Sequence, residues 1–163
     1  MSDDAPLARI AADLGQRLQA RGWFLVTAES CTGGGISAAV TAIAGSSAWF
    51  DCGLVTYSYA AKTRLLGVPQ ALLARVGAVS EPVVEAMAHG ALANSGAQVA
   101  VAVSGIAGPG GGQPGKPVGT VCFAWVWPGQ PVRTETRHFS GDRAAVQAQA
   151  VRHALSGFDL PAT

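Results

Sequence analysis

The stretch Thr27-Ala-Glu-Ser-Cys-Thr-Gly-Gly-Gly35 joins a strand-like run to a helix-like one, and that junction decides the fold. The apolar residues Trp23 to Val26 enter it, and the Ala/Ile/Val-rich run Ile36 to Ala44 leaves it. Ser30 and Cys31 therefore sit on a strand-to-helix turn. A turn of this kind presents a side chain at the end of a sheet, while the unpaired N–H groups of the next helix's first turn face an anion or an oxyanion. Successive glycines let backbone approach a ligand closely. The same residues also read as a helix N-cap by Ser30 or Thr32 with a flexible glycine run behind it.

Before this turn, Leu7, Ile10, Ala11, Leu14 and Leu18 recur at helical spacing, with Arg9, Asp13 and Arg17 on the other face. The pattern predicts an amphipathic helix from Ala5 to Arg21, ended by Gly22. Trp23 to Ala28 follows as a short buried strand. After the turn, Gly45-Ser46-Ser47 stops the second helix, and Gly53 to Tyr57 is β-branched and aromatic, as suits a strand. Ser58 can cap a short helix containing Lys62, Leu65 and Leu66, and Gln70 to Val76 forms another. Ser80-Glu81-Pro82 starts a third, with Ser80 as N-cap and proline in the first turn. Gln98 to Val103, apolar at every position after Gln98, has the mark of a strand covered on both faces. Val118 to Trp127 and Val132 to Phe139 read as strands joined through Pro128-Gly129-Gln130-Pro131, and Asp142 can cap a last helix, Arg143 to Ser156. Helices alternate with strands until the hairpin arrives. That order predicts a three-layer α/β/α sandwich with a mixed, mostly parallel sheet and a C-terminal hairpin. Without an internal repeat or an interior linker, residues 1–163 are expected to form one domain.

Composition closes off several classes of function. At 163 residues and 49% hydrophobic content the chain can bury a core, while a net charge of +1 with 13% charged residues leaves no basic cluster for nucleic acid. No apolar run reaches the roughly 18 residues that span a bilayer. Asp3 and Asp4 stand where a secretory leader would carry basic residues, so a cytoplasmic protein away from membranes is expected. Cys31, Cys52 and Cys122 are odd in number and far apart, which supports neither a disulfide framework nor a zinc site. Reduced thiols, no metal and no cofactor are the expectation.

A nucleophilic serine needs a base. His89, His138 and His153 all lie away from the glycine-rich turns, and no Gly-x-Ser-x-Gly elbow surrounds Ser30. Lysine usage points elsewhere: of the 11 basic residues only Lys62 and Lys116 are lysines. An amine can lose its proton where a guanidinium cannot. Lys62, just after a strand end, reads either as a solvated helix residue or as a desolvated amine able to act as general base to a serine. Tyr57, at the end of the same strand, is either core edge or a phenol that relays a proton or positions substrate. In the loop from Ser104 to Pro117, Gly110, Gly115 and Lys116 mimic a phosphate-binding loop, but Pro117 replaces the magnesium-holding hydroxyl and a strand follows instead of a helix. The loop is then either a mobile surface segment or an anion nest formed by N–H groups of Gly105 to Gly111. Arg143, at a helix start, reads as a phosphate or carboxylate ligand or as a solvated first-turn residue.

Taken together, Thr27-Ala-Glu-Ser-Cys-Thr-Gly-Gly34, Gly45-Ser-Ser-Ala-Trp-Phe50, Val55-Thr-Tyr-Ser58 with Ala61-Lys62, Gly77-Ala-Val-Ser-Glu81, Gly105-Ile-Ala-Gly-Pro-Gly-Gly111 and Lys116-Pro-Val-Gly-Thr120 resemble the CinA C-terminal domain family over residues 8–155. The resemblance implies hydrolysis of nicotinamide mononucleotide to nicotinate mononucleotide and ammonia, in pyridine nucleotide recycling. It makes Ser30 the nucleophile, Lys62 its base and Tyr57 a supporting hydroxyl. Thr32, Gly33, Gly34, Ser104, Gly105, Gly108, Gly110, Gly111 and Arg143 become candidates for holding a small-molecule substrate. Ser104 departs from the threonine expected in many relatives but keeps the hydroxyl. A homo-oligomer is the expected assembly. Two other readings are a phosphate-binding regulatory module without hydrolysis and an amidase for another small carboxamide, and Cys31 is the local rival to Ser30.

Overall fold

The computed structural model describes residues 6–161. Helix α1 (Leu7–Gln19) buries Ile10, Ala11, Leu14 and Leu18, the stripe its spacing predicts, while Ala5, the expected first residue, lies outside the described residues. Strand β1 (Leu25–Glu29) is buried along its whole length and leads through the glycine turn into α2 (Gly35–Thr41). A 3-10 turn at Ser46–Ala48, which no sequence signal marked, precedes β2 (Phe50–Val55). Then come α3 (Tyr59–Leu66), α4 (Gln70–Val76), α5 (Glu81–Ala93), β3 (Val99–Gly105), the hairpin β4 (Thr120–Val126) and β5 (Arg133–His138), and α6 (Arg143–Ser156).

The sheet order is β2-β1-β3-β4-β5, with β1 parallel to both β2 and β3 and with β4 antiparallel to both β3 and β5. It is thus evenly mixed, not mostly parallel, because the C-terminal hairpin docks beside β3 and adds as many antiparallel pairings as the α/β units add parallel ones. Helices α1, α2 and α6 cover one face, over a core of Leu25, Val99, Val101, Val103, Phe123 and Trp125. Helices α3, α4 and α5 lie on the other, over Val26, Ala28, Ala100, Ala102 and Ala124. The three expected layers are present.

Two caps follow their prediction: the Ser58 side chain accepts from Ala61 N and that of Asp142 from Ala145 N. Ser80 occupies the N-cap position of α5, but its hydroxyl donates to Gly77 O instead of capping the helix. Strand β2 starts at Phe50, which packs toward the α1–α2–α6 core, and after a register shift Cys52 and Leu54 turn toward the opposite core. It ends before Tyr57, which therefore lies in the connection to α3 and not on the strand. At the outer edge β5 carries Arg133, Glu135 and Arg137. Among the described residues no helix is long and apolar enough to cross a membrane.

Candidate active site

Strand β1 is the central parallel strand, so the residues after it sit between the ends of β2 and β3, at the carboxyl edge where open α/β sheets hold ligands. Alternation of side chains fixes what each residue there faces. Val26 and Ala28 belong to the α5 face, whereas Thr27 and Glu29 reach Ser37 on α2. Continuing the alternation sends Ser30 toward α3 and Cys31 toward α2 and α6.

From α3, Lys62 enters the site with its side chain 1% exposed. Its Nζ donates to Ser30 Oγ at 2.8 Å, to Thr56 O at 2.7 Å and to Tyr57 O at 3.3 Å. Three acceptors match the three protons of an ammonium. Burial nonetheless disfavours the charged form and lowers the Lys62 pKa from 10.5 to about 8, against a small opposing influence from Cys31. Near neutral pH this amine loses its proton far more readily than an exposed lysine.

Cys31 is its opposite. Burial pushes the thiol up to about 12, countered only in part by a hydrogen bond from its own backbone N–H and by the charges of Lys62 and Arg143, with Glu29 adding to the rise. A thiol in that state is not a nucleophile near neutral pH.

Glu29, which local pattern did not single out, is fully buried and holds the turn together. Its Oε1 accepts from Thr32 Oγ1 and from Ile36 N, both at 2.8 Å, and its Oε2 from Ser37 N at 2.9 Å and Ser37 Oγ at 2.7 Å. Neither Ser30 nor Thr32 caps α2; Gly34, at φ 101°, is the N-cap residue and Glu29 supplies the acceptors. The one sequence hint was a carboxylate closing an otherwise apolar strand.

The remaining candidates divide. Thr32 places its hydroxyl on Glu29, and Gly33 N donates to Ser30 O at 3.0 Å, so neither group is open to substrate. The N–H groups of Thr32 and Gly34 meet no acceptor among the described residues. Ser104 is buried on β3, facing the same side as Ser30 by alternation. Gly105 ends that strand where a Cβ would lie 2.7 Å from Val121 Cγ2 and 3.1 Å from Cys31 Sγ, so nothing larger fits. Ile106 N is spent on Thr120 O and Pro109 has no N–H, so Gly105 to Gly111 is not the continuous anion nest expected. Gly110 and Gly111 lie exposed at the loop's tip.

Arg143, at the start of α6, spans the mouth: Nη1 donates to Gly108 O at 2.8 Å and Nη2 to Tyr57 Oη at 3.0 Å. The Tyr57 phenol is 63% exposed and bonds Arg143, not Ser30 or Lys62; only its backbone carbonyl touches the lysine. Gln147, one turn further along α6, donates to Cys31 O at 2.9 Å. Arg143 and Gln147 line a cavity of about 510 Å³ with Ala107, Pro109 and Val118. Lys116 ties its loop to the C-terminal end of α4, donating to Val76 O at 2.9 Å. Among the histidines, His153 meets the Phe123 ring edge-to-face and bonds Glu135, away from Ser30 and Lys62. Among the described residues no three His, Cys, Asp or Glu side chains gather to hold a metal.

The fold and the site define an α/β/α sandwich with a buried serine–lysine pair at the carboxyl edge of its parallel strands. The chain belongs to the CinA C-terminal domain family, whose family model matches residues 7–159. It is 58% identical to a nicotinamide-nucleotide amidohydrolase PncC of Pseudomonas putida, over 93% of this chain and 94% of that protein. A protein of the same name from Escherichia coli K12 is 53% identical over 93% and 92%. Among solved structures, the competence damage-inducible protein A of Klebsiella pneumoniae superimposes with a TM-score of 0.90 at 48% identity, covering 94% of each chain.

Proposed function

We propose that this protein hydrolyses the carboxamide of nicotinamide mononucleotide to nicotinate mononucleotide and ammonia, with Ser30 as nucleophile and Lys62 as its base, a step of pyridine nucleotide recycling. The observation that carries the mechanism is the 2.8 Å contact between Lys62 Nζ and Ser30 Oγ, made by an amine that burial brings to a pKa of about 8. The names of the close relatives support the substrate.

Neutral Lys62 takes the Ser30 proton as Oγ attacks the carboxamide carbon. Backbone N–H groups of the turn, those of Thr32 and Gly34 being uncommitted, supply donors for the tetrahedral oxyanion. Gly105 N–H is a further donor, because its neighbour Ile106 points its own N–H at β4 and successive groups along a strand alternate in direction. The C–N bond breaks, the proton held by Lys62 leaves with ammonia, and water then cleaves the acyl-serine ester. The cationic pyridinium draws electrons from the carbonyl and lowers the demand on each donor. The cavity beside Arg143 takes the phosphoribosyl part, with the guanidinium exchanging Tyr57 or Gly108 for phosphate oxygens. A binding module without hydrolysis would gain nothing from burying a lysine against a serine.

The deciding experiment is ammonia release from nicotinamide mononucleotide, its riboside and NAD. Turnover of the mononucleotide with loss of the riboside is expected; tight binding without ammonia would reverse the reading, and turnover of a different carboxamide alone would move the substrate. Fractionation of the producing cells tests the expected cytoplasmic setting, and sedimentation of the purified protein tests the expected homo-oligomer.

A further inference from the structure

Glu29 takes no part in the chemistry above, yet the molecule spends an unusual number of donors on it. Its carboxylate is completely buried and, among the described residues, forms no ion pair. Two backbone N–H groups from the first turns of α2 and two hydroxyls fill its acceptor positions at 2.7–2.9 Å. A carboxylate has about four such positions, and hydrogen bonds to its charged form are the stronger kind. Ser37 Oγ, one of the two hydroxyls, is tied back to Thr27 Oγ1 on β1 at 2.8 Å.

The geometry of these bonds matters more than their number. The link from Glu29 to the Thr32 hydroxyl closes a small ring over the two residues between them, Ser30 and Cys31. From the other side, Gly33 N bonds Ser30 O at 3.0 Å, and Ser30 N donates to Val103 O on β3 at 3.1 Å. The nucleophile's backbone is thereby fixed at its amide, at its carbonyl and across its flank. With the first N–H groups of α2 already committed to an internal anion, the positive end of that helix is not available to substrate.

We propose that Glu29 is a positioning residue of the reaction, its carboxylate clamping Thr32 and the start of α2 so that Ser30 Oγ is held toward Lys62. This rests on the Ser30–Lys62 reading above. Glu29 touches neither substrate nor the reacting atoms; it acts through the angle at which β1 delivers the serine. A displacement of about 1 Å at a reacting group can cost on the order of 100-fold in rate, so the clamp should register in turnover and not in affinity.

The test uses the full-length protein and steady-state ammonia release. Glu29→Gln keeps the shape but offers one acceptor oxygen in place of two, leaving a backbone N–H of α2 facing an amide nitrogen. Its kcat should fall about 100-fold with KM within about threefold of the parent. Thr32→Val, which removes the hydroxyl that closes the ring, should lower kcat about 10-fold with KM unchanged, whereas Thr32→Ser, which keeps that hydroxyl, should recover most of the lost turnover. The Thr32 pair carries the test if Glu29→Gln does not fold. A folded Glu29→Gln protein with parental kcat, a loss confined to KM, or equal activity in Thr32→Val and Thr32→Ser would each overturn the clamp. Ser30→Ala, run alongside, separates the two ideas. An active Ser30→Ala protein removes the Ser–Lys reading itself, while an inactive one beside a fully active Glu29→Gln removes only the clamp.

Discussion

Ser30 and Cys31 are adjacent in the chain, both nearly buried, and both within the reach of one turn, yet they occupy opposite chemical settings. On the α3 side the serine meets an amine whose pKa burial has lowered to about 8. On the α2–α6 side the thiol, the intrinsically better nucleophile, is pushed up to about 12 by its burial. The difference teaches that reactivity at this turn is assigned by strand alternation and not by side-chain type. One residue along β1 changes the face, and the face decides whether a base is present.

The largest effect should come from breaking the serine side. Lys62→Met and Ser30→Ala are each expected to lower kcat by about three orders of magnitude or more, and the double variant by little beyond either, since the two act as one unit. Single-turnover ammonia assays of the three proteins check both statements.

Next comes proton dependence. Because neutral Lys62 is the proposed base, kcat/KM should rise with pH through about 8 and level off above it. Stability carries the same signature. The native lysine, near 8, binds its proton more weakly than the unfolded one at 10.5, so between these values the unfolded chain holds more protons and stability rises with pH. Denaturant unfolding of Lys62→Met should lack that rise.

A smaller change is expected at the mouth. Arg143→Leu removes the guanidinium from the cavity without touching the pair, and should raise KM for the mononucleotide about 10- to 100-fold while kcat changes little. The smallest effect belongs to the thiol side: Cys31→Ala should keep kcat within about threefold, and its cost should appear as about 1–2 kcal/mol of lost stability from the vacated core volume. Loss of catalysis in Cys31→Ala with retention in Ser30→Ala would invert the comparison.

How far these arrangements were legible in the sequence varies by range of interaction. Helices α4 and α6 run over Gln70–Val76 and Arg143–Ser156, the bounds their local pattern predicts, with Asp142 capping the second, because caps and breakers are local chemistry. The junction at Ser30 was equally legible, since its flanks change period. Lys62 stands out through its rarity, but its partner lies 32 positions away and only the tertiary packing of α3 on its face of the sheet brings the two together. Tyr57, judged from its place near the strand end, falls closer to the chemistry than its phenol does. Its phenol's partner, Arg143, is 86 residues distant, and no local pattern encodes that bond. Glu29 and Gln147 are illegible for the same reason: a single Glu closing a buried strand or a single Gln on a helix has no periodicity, and its meaning comes from the groups that converge on it. The proportion of parallel strands depends on where the hairpin docks, again a tertiary choice.

The outermost strand has a consequence for how the molecule behaves in a crowded solution. Any chain that tried to extend the sheet by zipping onto β5 would have to lay its backbone alongside the Glu135–Arg137 ion pair and strip water from it. Growth of stacked, fibre-like assemblies from that margin is therefore discouraged.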